Sequence, residues 1–166
     1  ALVCPNSAIR QHKACIGEVW VYGMKNAISY KTDLQNVDWQ AMKSTLAADQ
    51  FDNGRSPAQL QESFTNSYAT VIAYTGGEII GTARALSDEV CNAYVVDVWT
   101  VSKFRRRGVA SKMMEILLDQ LKGQHVYLFT DEVVEFYESI GFEAQSIGMG
   151  KVVGKWLQKP RHDKSS

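Results

Sequence analysis

The sequence predicts one α+β domain, and three observations predict it. The strongly β-branched run Val95-Val96-Asp97-Val98-Trp99-Thr100-Val101 reads as an interior strand. A helix with a wide apolar face follows it across one short turn. Two further apolar runs, Tyr68 to Tyr74 and Glu78 to Leu86, flank Thr75-Gly76-Gly77, a hairpin signal. The 166 residues contain no internal repeat, low-complexity run or linker. Such a length suits a single domain that buries roughly two-thirds of its unfolded surface.

The elements follow in order. Residues 1–26 form an extension of their own, in which Val19 to Tyr22 could be a short strand. The domain proper spans 27–158, and 159–166 form a tail. Ala27 to Thr32 alternates as a first strand, and Asn36 stands where it could cap a helix with Trp39, Met42 and Leu46 on one face. Ser56-Pro57-Ala58-Gln59 marks a second helix start in three ways: a Ser cap, Pro at the first helical position, and Gln closing a capping box. Leu60 and Phe64 are its core residues. The hairpin and the β-branched strand come next. In the long helix Val109, Met113, Leu117 and Leu121 form one apolar row and Ala110, Met114 and Leu118 the adjacent one, with Gly123 as the stop. His125 to Thr130 reads as a fully buried strand. Asp131 caps a last helix whose Val133, Phe136, Tyr137 and Ile140 face inward, and Gly141 ends it. Phe142 to Ile147 and Lys151 to Trp156 would complete the sheet.

Bulk composition excludes several classes. Lys plus Arg and Asp plus Glu each number 18, so no global charge calls for nucleic acid or a membrane surface. No stretch approaches the roughly 20 apolar residues of a membrane-spanning helix. Three widely spaced cysteines, Cys4, Cys15 and Cys91, with no signal peptide ahead of them, suit a reducing compartment, and the expectation is cytoplasmic. Cys4, His12 and Cys15 match no standard zinc spacing and lack a fourth ligand, so no metal is expected.

The chemistry concentrates where the strand meets the long helix. Arg105-Arg106-Arg107-Gly108-Val109-Ala110 is an Arg/Gln-x-x-Gly-x-Gly/Ala pattern at a helix start. Such a turn exposes N–H groups that lack internal partners, and the helix dipole adds positive potential there, which suits phosphate oxygens. This stretch resembles the acetyl-CoA binding motif of the GNAT superfamily of N-acetyltransferases. A second motif of that family follows at its usual distance, Phe136-Tyr137-Glu138-Ser139-Ile140-Gly141-Phe142. The resemblance spans roughly residues 27–158. Ser102, where Pro is common, and Ala110, in place of the commoner second Gly, are tolerated variants. The short form between His125 and Tyr137 resembles bacterial and plastid-type members, including some assigned to arylalkylamines such as serotonin.

The resemblance implies a mixed, mostly antiparallel sheet, splayed at the cofactor site and flanked by helices. It also implies direct transfer of acetyl from acetyl-CoA to a primary amine of a small molecule or protein. The cofactor-binding set is Val98, Trp99 and Thr100 for the pantetheine arm; Arg105, Arg106, Arg107, Gly108, Val109, Ala110 and Ser111 for the diphosphate; and Phe136 packing beside them. A backbone N–H near Val98 is the candidate oxyanion donor. Tyr137 is the family position that protonates the departing thiolate. Asp97 has two readings: the base that takes the amine proton, or a structural carboxylate paired to a neighbour such as Arg84. Period-2 alternation puts Asp97 with Trp99 on the face opposite Val96 and Val98. The two helices after the first strand would line the acceptor side, with Trp39 and Phe51 in the cleft. Many relatives are dimers, and residues 1–26 offer a surface for a homodimer contact. The reading from a different class is a non-catalytic acyl-CoA-binding regulatory module on the same fold.

Overall fold

In a computed structural model of the chain, which describes residues 27–145, 148–154 and 157, five strands form one open sheet. They are β1 (Ile28–Lys31), β2 (Ala69–Thr75), β3 (Glu78–Ser87), β4 (Asn92–Thr100) and β5 (His125–Tyr127), side by side in chain order. Each of the first four runs antiparallel to its neighbour, and β5 lies parallel to β4. Helices α1 (Trp39–Ala48) and α2 (Pro57–Thr65) cover one face, and α3 (Val109–Asp119) and α4 (Val134–Ser139) the other. The sheet is thus mixed and mostly antiparallel, as the resemblance implies.

Two cores follow from the two faces. On one, Met42, Leu46, Leu60 and Phe64 close over Ile72, Ile79 and Trp99. On the other, Val109, Met113, Met114, Leu117 and Leu121 of the α3 segment meet a sheet face lined by Ala69, Val71, Ala73, Ala83, Ala85 and Ala93. Small side chains there let the helix approach closely. Gly81 shows the limit: a Cβ at that position would lie 2.9 Å from the Met113 Cε and 2.9 Å from the Trp99 carbonyl oxygen. Each buried α3 side chain contributes about 1.5–3 kcal/mol relative to exposure.

Local signals and structure agree at α2. Ser56 accepts from the Gln59 N–H, and Gln59 accepts from the Ser56 N–H, giving the complete capping box. Elsewhere the structure corrects the sequence reading. Asn36 is in the left-handed region with φ 57°, and the cap of α1 is Asp38, which accepts from the Ala41 N–H at 2.8 Å. The long helix closes at Asp119, and Gly123 belongs to the turn after it. The fifth strand stops at Tyr127, with His125 and Tyr127 exposed, because it is the sheet edge among the described residues rather than an interior strand. Asp131 caps no helix among the described residues. Helix α4 starts later, behind Val133, whose N–H donates to Thr130 Oγ1 at 3.4 Å.

Among the described residues, 142–145 and 148–154 form no strand. Gly148, Gly150 and Gly154 interrupt the second stretch, and glycine weakens a strand that has no partner to pack against. The extension 1–26, with Cys4, His12 and Cys15, and the tail 159–166 lie outside the described residues.

Candidate active site

The last two strands of the sheet part company. β4 pairs with β5 only at Asn92↔His125, Ala93↔Val126 and Tyr94↔Tyr127, yet β4 runs on to Thr100. From Val95 onward its outer edge has no strand partner among the described residues. The backbone groups on that edge are therefore open to a ligand that pairs like a strand. On the other side, against β3, the register slips between Thr82↔Trp99 and Arg84↔Val96, so Asp97 and Val98 together face Ala83. This is a β-bulge, with Asp97 at φ 53°. A bulge bends its strand, which fits the splay beginning close by.

That bulge alters the expected alternation. Val98 packs with the α3 core and Trp99 with the α1–α2 core, so Asp97 and Trp99 do lie opposite Val98. Val96, however, is directly paired with Arg84, whose guanidinium lies over the Phe64 ring of α2, and so shares the Asp97 face. The extra residue reverses the parity between Val96 and Val98.

At its C-terminal end β4 enters the turn. Val101 leads into a single 3₁₀ turn, Ser102–Phe104, after which Arg106 (φ 62°) and Gly108 (φ 77°) both take left-handed backbone. Gly108 is the cap residue of α3. Beyond Gly108 itself and its adjoining backbone, no described atom lies within 4 Å of a Cβ built there, so its backbone angle rather than space accounts for the glycine. The first α3 bond runs from the Lys112 N–H to the Gly108 carbonyl at 3.0 Å. The amides of Val109, Ala110 and Ser111 precede it and lack intrahelical partners. Arg106, Arg107 and Ser111 are exposed, Ala110 is half-buried, and Val109 is buried, so Val109 can offer a ligand only its backbone. The Arg107 guanidinium lies 5.3 Å from the Phe104 ring. Thr100, 8% exposed, carries a buried Oγ1 without a hydrogen-bond partner among the described residues.

Arg105 behaves differently from its neighbours. Its Nε donates to the Thr100 carbonyl at 3.0 Å and its Nη2 to Asp49 Oδ2 at 3.1 Å. Asp49 is the C-cap residue of α1, and the sequence reading missed it. It also accepts from Trp99 Nε1 at 2.8 Å and from the Ser102 N–H at 2.9 Å. Burial pushes its carboxyl up, but the Ser102, Trp99 and Arg105 contacts outweigh that and hold it below the ordinary carboxylate range. The available signal was Trp99 itself, since a buried indole N–H needs an acceptor somewhere.

Asp97 is held by two arginines on the same oxygen. Arg84 Nε lies 2.7 Å and Arg55 Nη2 2.8 Å from its Oδ2, and Thr82 Oγ1 donates to the Asp97 carbonyl at 2.9 Å. Arg84 also reaches Ser67 Oγ at 3.2 Å, and Arg55 reaches Asn53 Oδ1 at 3.0 Å. Pairing with Arg84 is one of the two readings of Asp97. Arg55, from the loop between α1 and α2, is a partner that sequence spacing could not supply.

Tyr137 is 9% exposed and belongs to the α3 core, with Phe136 and Phe142 edge-on at 4.9 and 5.9 Å between ring centres. Burial raises its phenol above the ordinary value. Its hydroxyl makes no hydrogen bond to a described residue. Trp39 packs on Phe64 at 5.5 Å, and Phe51, partly exposed, stacks on Trp99 at 6.3 Å. A groove of about 420 Å³ between α1 and the β2–β3 turn, lined by Thr45, Tyr74, Glu78 and Lys103 among others, contains none of the residues assigned to the cofactor. Among the described residues no group of three or more His, Cys, Asp or Glu is arranged to hold a metal, and no helix is long and apolar enough to cross a membrane.

A strand that leaves its parallel neighbour and ends in a turn at a helix start is the arrangement that the resemblance to the GNAT superfamily implies. The chain belongs to the acetyltransferase (GNAT) family, whose sequence profile matches residues 33–142. Two curated plant relatives are similar over part of the chain. GCN5-related N-acetyltransferase 2, chloroplastic, of Arabidopsis thaliana is 36% identical over 76 residues, which are 43% of this chain and 30% of that protein. Histone acetyltransferase TAP1 of Glycine max is 37% identical over 75 residues, 43% of this chain and 32% of that protein. The match therefore spans about a third of each relative. Among solved structures, a GNAT-family acetyltransferase from Streptococcus pneumoniae shares the fold at TM-score 0.65 and 23% identity, over 78% of this chain and 100% of that one. Glucosamine-6-phosphate N-acetyltransferase from Arabidopsis thaliana does so at TM-score 0.60 and 19% identity, over 77% and 99%.

Proposed function

We propose that this chain is an acetyl-CoA-dependent N-acetyltransferase acting on a primary amine of a small molecule or a protein. One observation carries the reading: the outer edge of β4 beyond Tyr94, free among the described residues, leads into the turn whose amides, Val109 to Ser111, lack intrahelical partners. An extended ligand with amides at one end and a diphosphate at the other fits that path. The bound cofactor would supply the acetyl thioester. Val98, Trp99 and Thr100 would hold its arm through backbone groups, since the Trp99 side chain is committed to the other core. Gly108 to Ser111 would hold the diphosphate, helped by the exposed Arg106 and Arg107. Arg105 would act from behind the turn. The Val98 N–H, at the bulge, would donate to the carbonyl oxygen as charge develops there. Tyr137, kept protonated by burial, would give its proton to the departing sulfur. Asp97 would receive the amine proton through water at Oδ1, because both arginines occupy Oδ2.

Incubation with acetyl-CoA and a panel of amines, followed by thiol release, tests the assignment. Saturable release with at least one amine is expected, and a protein that binds CoA yet releases thiol with none would refute it. The second reading, a non-catalytic acyl-CoA-binding module, would suit an Asp97 that the Arg55–Asp97–Arg84 clamp holds as a structural carboxylate. Uptake of CoA without turnover would establish that reading. The cytoplasm is the location expected from sequence, and the chloroplastic name of one relative makes the plastid the other to test.

A further inference from the structure

We propose that Asp49 is the positioning residue of the cofactor turn and joins that turn to the end of α1. The proposal rests on the acetyl-CoA reading above. The Asp49 side chain is only 8% exposed, and a carboxylate so placed persists only when its oxygens are paired. Its three donors among the described residues are Trp99 Nε1 (2.8 Å), the Ser102 N–H (2.9 Å) and Arg105 Nη2 (3.1 Å). They come from the end of β4, the start of the 3₁₀ turn and the residue before Arg106. One side chain therefore pins three points along the path that leads to the amides of Val109 to Ser111. Arg105 closes the loop by donating its Nε to the Thr100 carbonyl at 3.0 Å.

Two consequences follow. The turn is set before a ligand arrives, so less ordering is needed on binding. The Arg105 charge is drawn toward α1, and attraction of a diphosphate falls to Arg106 and Arg107. Because Asp49 belongs to α1, whatever fixes the turn also fixes that helix end, and the coupling is reciprocal.

The test is calorimetric titration of CoA into the full chain as wild type, Asp49→Asn, Arg105→Gln, the double variant, and Asp38→Ala as a control that weakens α1 at its far end. Asp49→Asn keeps the shape but removes the charge and turns an N–H₂ toward groups that donate. Its Kd for CoA should rise about tenfold, and Arg105→Gln should act alike. The double variant should be no worse than the weaker single, as expected for partners in one interaction. In the acetyl-transfer assay KM for acetyl-CoA should follow Kd while kcat stays within about twofold. Asp38→Ala should lower Tm without moving Kd. Unchanged CoA affinity in Asp49→Asn overturns the proposal, and so does an equal loss in Asp38→Ala. Additive losses in the double variant would also overturn it, because Arg105 would then contact the ligand itself. Should Asp49→Asn fail to fold, Arg105→Gln, at an exposed side chain, decides alone, and an unchanged Kd there refutes the idea. A wild type that takes up no CoA is a distinct result and removes the transferase reading as well.

Discussion

The Tyr137 phenol is enclosed by Phe136 and Phe142, and burial raises its pKa above the ordinary value near 10. Ionisation is thus postponed to higher pH, and the proton is present throughout the range where a free thiol, near ~8.5, titrates. Tyr137→Phe should lower kcat by about a hundredfold with CoA affinity held within about twofold, as measured by thiol release and calorimetry. Equal turnover would remove Tyr137 from the reaction. In the wild type any decline that reports this phenol should come only as pH rises through its folded pKa, above the ordinary value. Asp97 teaches a different lesson at the same scale. Its residue type and strand were legible, as was Arg84 as a partner. Parity along β4 was not, because a bulge is a mismatch in length between two strands and leaves no mark in either one alone. Asp97→Asn should destabilise the fold by about 3 kcal/mol in urea unfolding, because it leaves Arg55 and Arg84 largely buried without their counter-ion.

Elements whose signals are local could be read directly. The Ser56–Gln59 box, the Gly76-Gly77 turn and the apolar rows of α3 each lie within a few residues of one another and appear where the sequence places them. Ser56→Ala should cost about 1 kcal/mol of stability by chemical denaturation and leave CoA affinity untouched, since the box lies on the α2 side of the sheet. Gly108→Ala should do both kinds of damage. Forcing a Cβ residue to φ 77° costs about 1–2 kcal/mol, and relief of that strain would shift the amides after it, so calorimetry should show weaker CoA uptake. Full affinity in Gly108→Ala would remove the turn from the binding site. Elements with nonlocal causes could not be read this way. Asp38 rather than Asn36 caps α1 because the chain first makes a left-handed turn at Asn36. The residues after Gly141 have strand-like composition, yet β5 offers only a three-residue pairing on its β4 side, and what lies at its other edge is not encoded in their own pattern.

Across the molecule, two carboxylates tie α1 to its surroundings, and neither was predicted from sequence, because the partners of Asp49 lie about fifty positions away and those of Asp52 bridge a loop. Asp52 binds Lys43 of α1 at 2.6 Å and the Gly54 N–H at 3.0 Å. For both aspartates burial pushes the carboxyl up. Their hydrogen bonds and neighbouring cations push it further down, so each folded-state pKa lies below the ordinary value. A depressed folded pKa means that the unfolded chain takes up protons first as pH falls. The stabilisation is then complete above the unfolded value near ~3.9 and is lost as pH drops through the lower folded values. Urea unfolding of the wild type should therefore show stability falling with acid below about pH 4. Asp49→Asn should start less stable by about 1–3 kcal/mol at neutral pH, because a buried donor loses its acceptor, and should lose less on acidification. The two curves should converge once pH has fallen through the lowered folded value of Asp49, because protonation does to the wild type what the amide does at every pH. Parallel curves would mean that the charge on Asp49 does not hold α1 against the end of β4, and that shape alone joins the two cores.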